Sequence, residues 1–178
     1  MIQDASERTF QLVEITPQAM SALVDGDLPA ASAEVGVPLT EHFVGDDLRG
    51  LWRYRTQLRQ TAPDQPQGRV WAVVSEPDGR VVGHGGFHDP PDAEGAIEIS
   101  YSVDPAARGQ GWGKTIATEL LHRATDEGAR TVRASVSPDN SASLAIIAAI
   151  GFQQIGEQWD EEDGRELVFE QPAPAARP

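Results

Sequence analysis

The chain contains no cysteine. That absence excludes a disulfide framework, a thiolate metal site and a cysteine nucleophile. Basic residues are scarce as well: 14 Lys and Arg stand against 28 Asp and Glu, for a formal net charge of −14. A field of that sign opposes nucleic acid backbones and anionic lipid, so neither is expected as a partner. No apolar run approaches the ~20 residues of a membrane span, and the N-terminus lacks the basic start and apolar core of a signal peptide. A cytoplasmic protein is expected. The histidines at 42, 84, 88 and 122 lack metal-ligand spacing, so no metal is expected either. His84-Gly-Gly-Phe87 has the look of an esterase oxyanion loop, but no G-x-S-x-G exists to supply the nucleophile.

What remains is an ordinary globular composition. With 178 residues, 39% apolar and 24% charged, the chain suits one domain with a full core, expected over residues 1–171, followed by a disordered tail at 172–178. Alternation marks strands at Thr9–Ile15, Val70–Ser75, Arg80–Phe87, Ala96–Val103 and Thr131–Val136, with Pro77-Asp-Gly79 as a hairpin turn. Helical spacing marks Pro17–Asp25, Asp46–Gln60, Gly111–Glu127 and Ser141–Ile150, and a final hairpin runs from Phe152 to Phe169, turning at Asp160–Gly164. Leu28–Gly45 reads as irregular because Pro29 and Pro38 interrupt it, and 61–68 reads as a loop. The outcome is a mixed α/β chain of about seven strands and about four helices.

The densest information lies in Val103-Asp-Pro-Ala-Ala-Arg108-Gly-Gln-Gly-Trp-Gly-Lys114, where a strand ends and a glycine-spaced turn opens into a helix. Glycine permits positive φ and close backbone approach, while the first-turn amides and the dipole of the helix favour an anion. A phosphorylated ligand is implied. A P-loop would need glycine where Arg108 stands, and a dinucleotide fingerprint would meet Lys114 or Ile116 at its last glycine. Both fail, although Gly113-Lys114-Thr115 keeps a nucleotide-dependent kinase or ATPase as a distant rival.

Arg108-x-x-Gly111-x-Gly113 after Val103-Asp104-Pro105 instead resembles the acyl-CoA loop of the GNAT superfamily of N-acyltransferases. A second block agrees: Val132–Val136 as a strand, then Pro138-Asp-Asn140-Ser-Ala-Ser143 opening a helix that ends at Gly151-Phe152, similar to the family's second signature. The order of elements resembles the GNAT fold over essentially the whole chain.

The resemblance implies acetyl-CoA as co-substrate and an amine as acceptor. It assigns cofactor binding to Tyr101, Ser102, Val103, Arg108, Gly109, Gln110, Gly111, Trp112, Gly113, Lys114 and Asn140, and substrate contact to Trp52 and Tyr54 on the segment that covers the pocket. An amphipathic core helix explains Trp52 equally well. The family's helix tyrosine is absent, since its position holds Ile147. Ser143 stands three residues after Asn140, an N-x-x-S arrangement similar to the subgroup that includes ribosomal-protein N-terminal acetyltransferases, and it is the candidate acid for the leaving thiolate. Its bland role is to satisfy backbone amides at a helix start.

Glu98 is the candidate base. A mid-strand carboxylate between Ile97 and Ile99 is placed for partial desolvation, which raises a carboxyl pKa. A solvent-facing or Arg-paired Glu98, with deprotonation through water, stays open. The expected activity is transfer of an acetyl group to a primary amine of a small molecule or a protein N-terminus, by a monomer or homodimer. The alternative is a non-catalytic acyl-CoA-binding or regulatory module of the same fold.

Overall fold

The computed structural model describes residues 8–61, 68–161 and 164–175. Seven strands form one sheet: β1 (Phe10–Glu14), β2 (Val70–Ser75), β3 (Val81–Phe87), β4 (Ala96–Val103), β5 (Thr131–Val136), β6 (Gln153–Asp160) and β7 (Gly164–Pro172), in the order β1-β2-β3-β4-β5-β7-β6. Five α-helices accompany them: α1 (Pro17–Asp25), α2 (Leu28–Val35), α3 (Asp46–Thr61), α4 (Trp112–Asp126) and α5 (Ser141–Ala149). Short 3-10 turns at Glu41–Val44 and Pro105–Ala107 complete the described elements.

Period-two geometry divides the core. In β2, Trp71 and Val73 point into a cluster with α4 and α5, while Val70, Ala72 and Val74 point into a second cluster with α1, α2 and α3. The strand is apolar throughout because helices cover both sheet faces. Gly85 of β3 lets α4 lie close: a Cβ there would stand 2.8 Å from Ile116 Cγ2 and 3.1 Å from Leu120 Cδ1.

One helix departs from expectation. Pro29 does not interrupt Leu28–Val35, because it falls in the first turn of α2, where a missing N–H costs nothing. Asp27 caps that helix through Ala30 N at 3.0 Å. The tail needs correction as well. Pro172 is the last residue of β7, Ala173 N donates to Arg130 O at 2.9 Å and Thr125 Oγ1 donates to Pro174 O at 2.8 Å. Backbone partners therefore order the chain beyond 171, whereas 176–178 lie outside the described residues. So do 62–67 of the loop expected after α3 and 162–163 of the final hairpin turn.

The sheet is broken where it matters. β4 and β5 run parallel and pair over only Ala96↔Thr131, Ile97↔Val132 and Glu98↔Arg133. Beyond them β4 stays with β3 as far as Val103↔Gly83, and β5 stays with β7 as far as Val136↔Leu167. A wedge-shaped gap opens between two halves that remain fully paired on their outer sides. Glu98 O accepts from His88 N and Asp104 N donates to Val82 O, so even-numbered residues of β4 bond toward β3. The alternation of a strand then turns the N–H and C=O of Tyr101 and Val103 into the gap.

Candidate active site

Two cavities meet at the gap. The first, about 580 Å³, is lined by Tyr101, Ser102, Val103, Arg108, Gly109, Gly111, Trp112, Gly113, Lys114, Asn140 and Ser143 among others. The second, about 400 Å³, lies beside it and is lined by Glu98, Ser100, Tyr101, Ser135, Asn140, Ser143, Asp160 and Glu166 among others. Tyr101, Asn140 and Ser143 belong to both walls.

The first cavity is an anion cradle. Gly109 and Gly111 hold φ of 72° and 85°, in the left-handed region that side chains avoid. Gly111 caps α4 with no side-chain acceptor, leaving the Trp112, Gly113 and Lys114 amides available to a ligand. The approach to this loop is fixed by Asp104, which accepts from Ala106 N through one carboxylate oxygen and from Thr40 Oγ1 through the other. Arg108 and Lys114 add positive charge to an otherwise acidic molecule. Arg8 adds a third cation: its guanidinium lies 5.0 Å from the centre of the Trp112 ring and 3.6 Å from where a Gly111 Cβ would be. Only tertiary packing brings that residue here, so nothing in its local sequence signals the role.

Gln110 is the one loop residue expected in the site that does not line it; its Nε2 turns back to Ala106 O at 3.2 Å. Trp112 lines the cavity with a ring only 5% exposed and otherwise packed in the core, so the bulk of its surface serves the fold. Trp52 is a correction. It is 0% exposed, stacks against Phe43 at 6.3 Å and donates Nε1 to Phe43 O at 2.7 Å, which makes it a core residue and not a substrate contact. Its register with Leu48 and Arg55 decides this: all three face inward, and Arg55 satisfies its buried charge on Gly68 O and Phe87 O. Tyr54, two positions on, is 53% exposed and lines neither cavity.

Around the gap the remaining residues fall into place. Ile97 and Ile99 are buried, so alternation sends Glu98 to the opposite face, into the second cavity. Arg133, across the parallel pairing, forms its ion pair with Glu170 at 2.6 Å, and the Glu98 carboxylate adds to its field. Asp160 and Glu166 come from the β6–β7 hairpin, and among the described residues the second cavity's lining holds three carboxylates and no Lys or Arg. Asn140 caps α5 by accepting from Ser143 N at 3.1 Å. Capping is thus Asn140's task, and the Ser143 hydroxyl is released from it. On the far side of β4, Ser102 Oγ bonds His42 Nε2 at 2.8 Å; burial lowers the His42 pKa against the opposing pull of Asp104.

Residues 21–153 match the acetyltransferase (GNAT) domain. The chain belongs to that family. Members transfer acetyl groups from acetyl-CoA to amines. It is 37% identical over 79 residues to an L-2,4-diaminobutyric acid acetyltransferase of Nocardia farcinica, covering 44% of this chain and 41% of that one. It is 26% identical over 155 residues to a mycothiol acetyltransferase of Thermomonospora curvata, covering 79% of this chain and 52% of that one. The chain thus spans about half the length of the curated relatives it matches. Among solved structures, a ribosomal-protein-S5-alanine acetyltransferase from Vibrio fischeri aligns with TM-score 0.60 at 14% identity, over 95% of this chain and 96% of its own. A spermidine/spermine N-acetyltransferase from Vibrio cholerae aligns at 0.64 and 10%, over 93% and 95%. At such identities these two show the shared GNAT fold.

Proposed function

We propose that this protein is an N-acetyltransferase that moves the acetyl group of acetyl-CoA onto a primary amine by direct attack. The observation that carries it is the β4–β5 gap, which joins a cationic, amide-lined cavity to a carboxylate-lined one through a wall of Tyr101, Asn140 and Ser143. A pyrophosphate suits the amides of residues 112–114 with Arg108, Lys114 and Arg8 around them. An extended pantetheine arm suits the strand edge of Tyr101 and Val103 that β5 leaves, where the Val103 carbonyl accepts from Arg108 Nε at 3.3 Å and the amides are in position to polarise the acetyl carbonyl. The acetyl thioester, once bound, supplies an activated carbonyl carbon.

The acceptor enters from the second cavity. Glu98 takes the proton that the amine must lose, directly or through one water, and Ser143 gives a proton to the departing sulfur. Three carboxylates lining the second cavity favour an acceptor with positive charge, and the resemblance to an L-2,4-diaminobutyric acid acetyltransferase supports a small cationic amine.

Incubating the protein with acetyl-CoA and a panel of mono-, di- and polyamines, with free thiol as the readout, tests the reading. Thiol release that depends on the amine is the expected result. Tight binding of coenzyme A with no release on any amine would favour the non-catalytic acyl-CoA-binding module.

A further inference from the structure

Ile147 leaves this chain without a hydroxyl at the position where many family members place their acid, and a lone serine is a modest proton donor. The packing supplies a second hydroxyl from another direction. Ile97, Ile99, Tyr101 and Val103 project from β4 to the same side as α5, where Ile147 is fully buried. Tyr101 thereby comes beside the first turn of α5, and it shares both cavity walls with Ser143. Its phenol oxygen is buried with no partner that meets hydrogen-bond geometry.

We propose that Tyr101 is a positioning residue for proton delivery: its hydroxyl orients the Ser143 hydroxyl and replaces the proton that Ser143 gives to the leaving sulfur. The proposal rests on the N-acetyltransferase reading and deepens it. Asn140 already occupies the Ser143 backbone N–H, which leaves the serine hydroxyl to the cavity on one side and to the phenol on the other. The Ser143 side chain is near enough to favour the phenolate, while burial has the larger effect and lifts the Tyr101 pKa above its ordinary 10. The phenol is therefore protonated throughout the neutral range and always able to donate.

The step balances as follows. The acceptor nitrogen bonds to the thioester carbonyl carbon, and the carbon–sulfur bond breaks with its electron pair on sulfur. The Ser143 proton passes to sulfur and the Tyr101 proton passes to the Ser143 oxygen. The phenolate regains a proton from solvent, equal to the one the amine releases by way of Glu98. No oxidant or metal enters.

Tyr101→Phe removes one oxygen and keeps the packing. Its kcat is expected to fall by roughly tenfold or more with KM for acetyl-CoA unchanged, because the relay acts only as charge builds on sulfur. In a Ser143→Ala background the same substitution should add nothing, the signature of two groups acting in series. An acceptor-independent readout accompanies these. When bound coenzyme A is titrated by thiolate absorbance, its thiol should ionise roughly one pH unit higher in Tyr101→Phe than in the wild type, since the Ser143 hydroxyl that donates to the thiolate loses the group that orients it. Thermal melting confirms that the variant is folded.

Normal kcat in folded Tyr101→Phe, or full additivity with Ser143→Ala, would overturn the relay. An unchanged thiol titration would do the same. Failure of the wild-type protein to bind coenzyme A in calorimetry is a different result, and it would overturn the acetyltransferase reading together with the relay.

Discussion

Glu98 and Trp52 carry similar signals as single letters, and packing separates them. Glu98 is legible in advance because a strand alternates: with Ile97 and Ile99 buried, position 98 must face the other way, and there it lines the second cavity. Glu98→Gln keeps the shape but cannot accept a proton, so turnover should fall by about 10²-fold with coenzyme A affinity unchanged, measured by steady-state kinetics and calorimetry. Full activity in that variant would give the base role to water. Trp52 misleads because a helix of mixed face has more than one plausible inward side. Phe43, which offers both a ring and a carbonyl to the indole, decides the matter from outside the helix. The same cluster holds His84, buried against Trp52 with its ring centroid 5.5 Å away. Burial, with the nearby charges of His42 and Arg55 behind it, drives the His84 pKa from 6.5 to about 3. The folded chain therefore refuses a proton that the unfolded chain accepts below pH 6.5. Stability from neutral His84 is complete above that pH, declines as pH falls, and is lost through about 3. Urea melts between pH 7 and pH 5 should show this decline, and His84→Leu should flatten it.

Elements add what residues cannot. The loop before α4 was readable because its glycine spacing is local chemistry: φ of 85° at Gly111 and an uncapped helix start follow from a few adjacent residues. Gly111→Val would strain that backbone and place methyl groups where the ligand must approach, so coenzyme A binding should be lost in calorimetry while the circular dichroism spectrum stays native. Arg108→Ala, at an exposed cation, should cost about tenfold in affinity. Gly85 has a different purpose, since the space above it is filled by Ile116 and Leu120 of α4. Gly85→Ala should therefore lower the stability by about 1–3 kcal/mol by lifting α4 from β3, read as a lower midpoint in urea. Less of the gap itself was legible. Nothing in Ala96–Val103 or Thr131–Val136 says that their pairing ends after three residues while β5 goes on pairing along its other edge with β7, more than thirty residues downstream. Tyr101 and Ser143 share their cavity walls at that divergence, where Asp160 and Glu166 also line the second cavity. Pro29 was misjudged for a simpler reason: proline breaks a helix from within but suits its first turn, and Asp27 two residues earlier was the cap that announced one.

On the scale of the molecule, charge separates the two substrates. Coenzyme A is an anion approaching a protein of net charge −14, and the local cations Arg8, Arg108 and Lys114 offset that field at its entrance. The second cavity differs: Glu98, Asp160 and Glu166 line it within a surface of the same sign. On the proposed reading a cationic amine is drawn by the whole protein and then held by a few groups, while coenzyme A is repelled at a distance and captured at contact. Salt screens the distant part over about 8 Å at physiological ionic strength and leaves the contact part largely intact. Raising the salt should accordingly lower kcat/KM for the amine, more steeply for a diamine than for a monoamine of equal length, because the long-range attraction scales with the charge on the acceptor. For acetyl-CoA the distant repulsion is relieved as salt rises, so its association rate should fall less than that of the diamine, or increase. Stopped-flow and steady-state measurements across a salt series, with both amines on one enzyme preparation, separate these slopes. Equal slopes for the two amines would mean that the carboxylate cavity senses a single charge, and the acceptor would then be a monoamine whose second substituent is neutral.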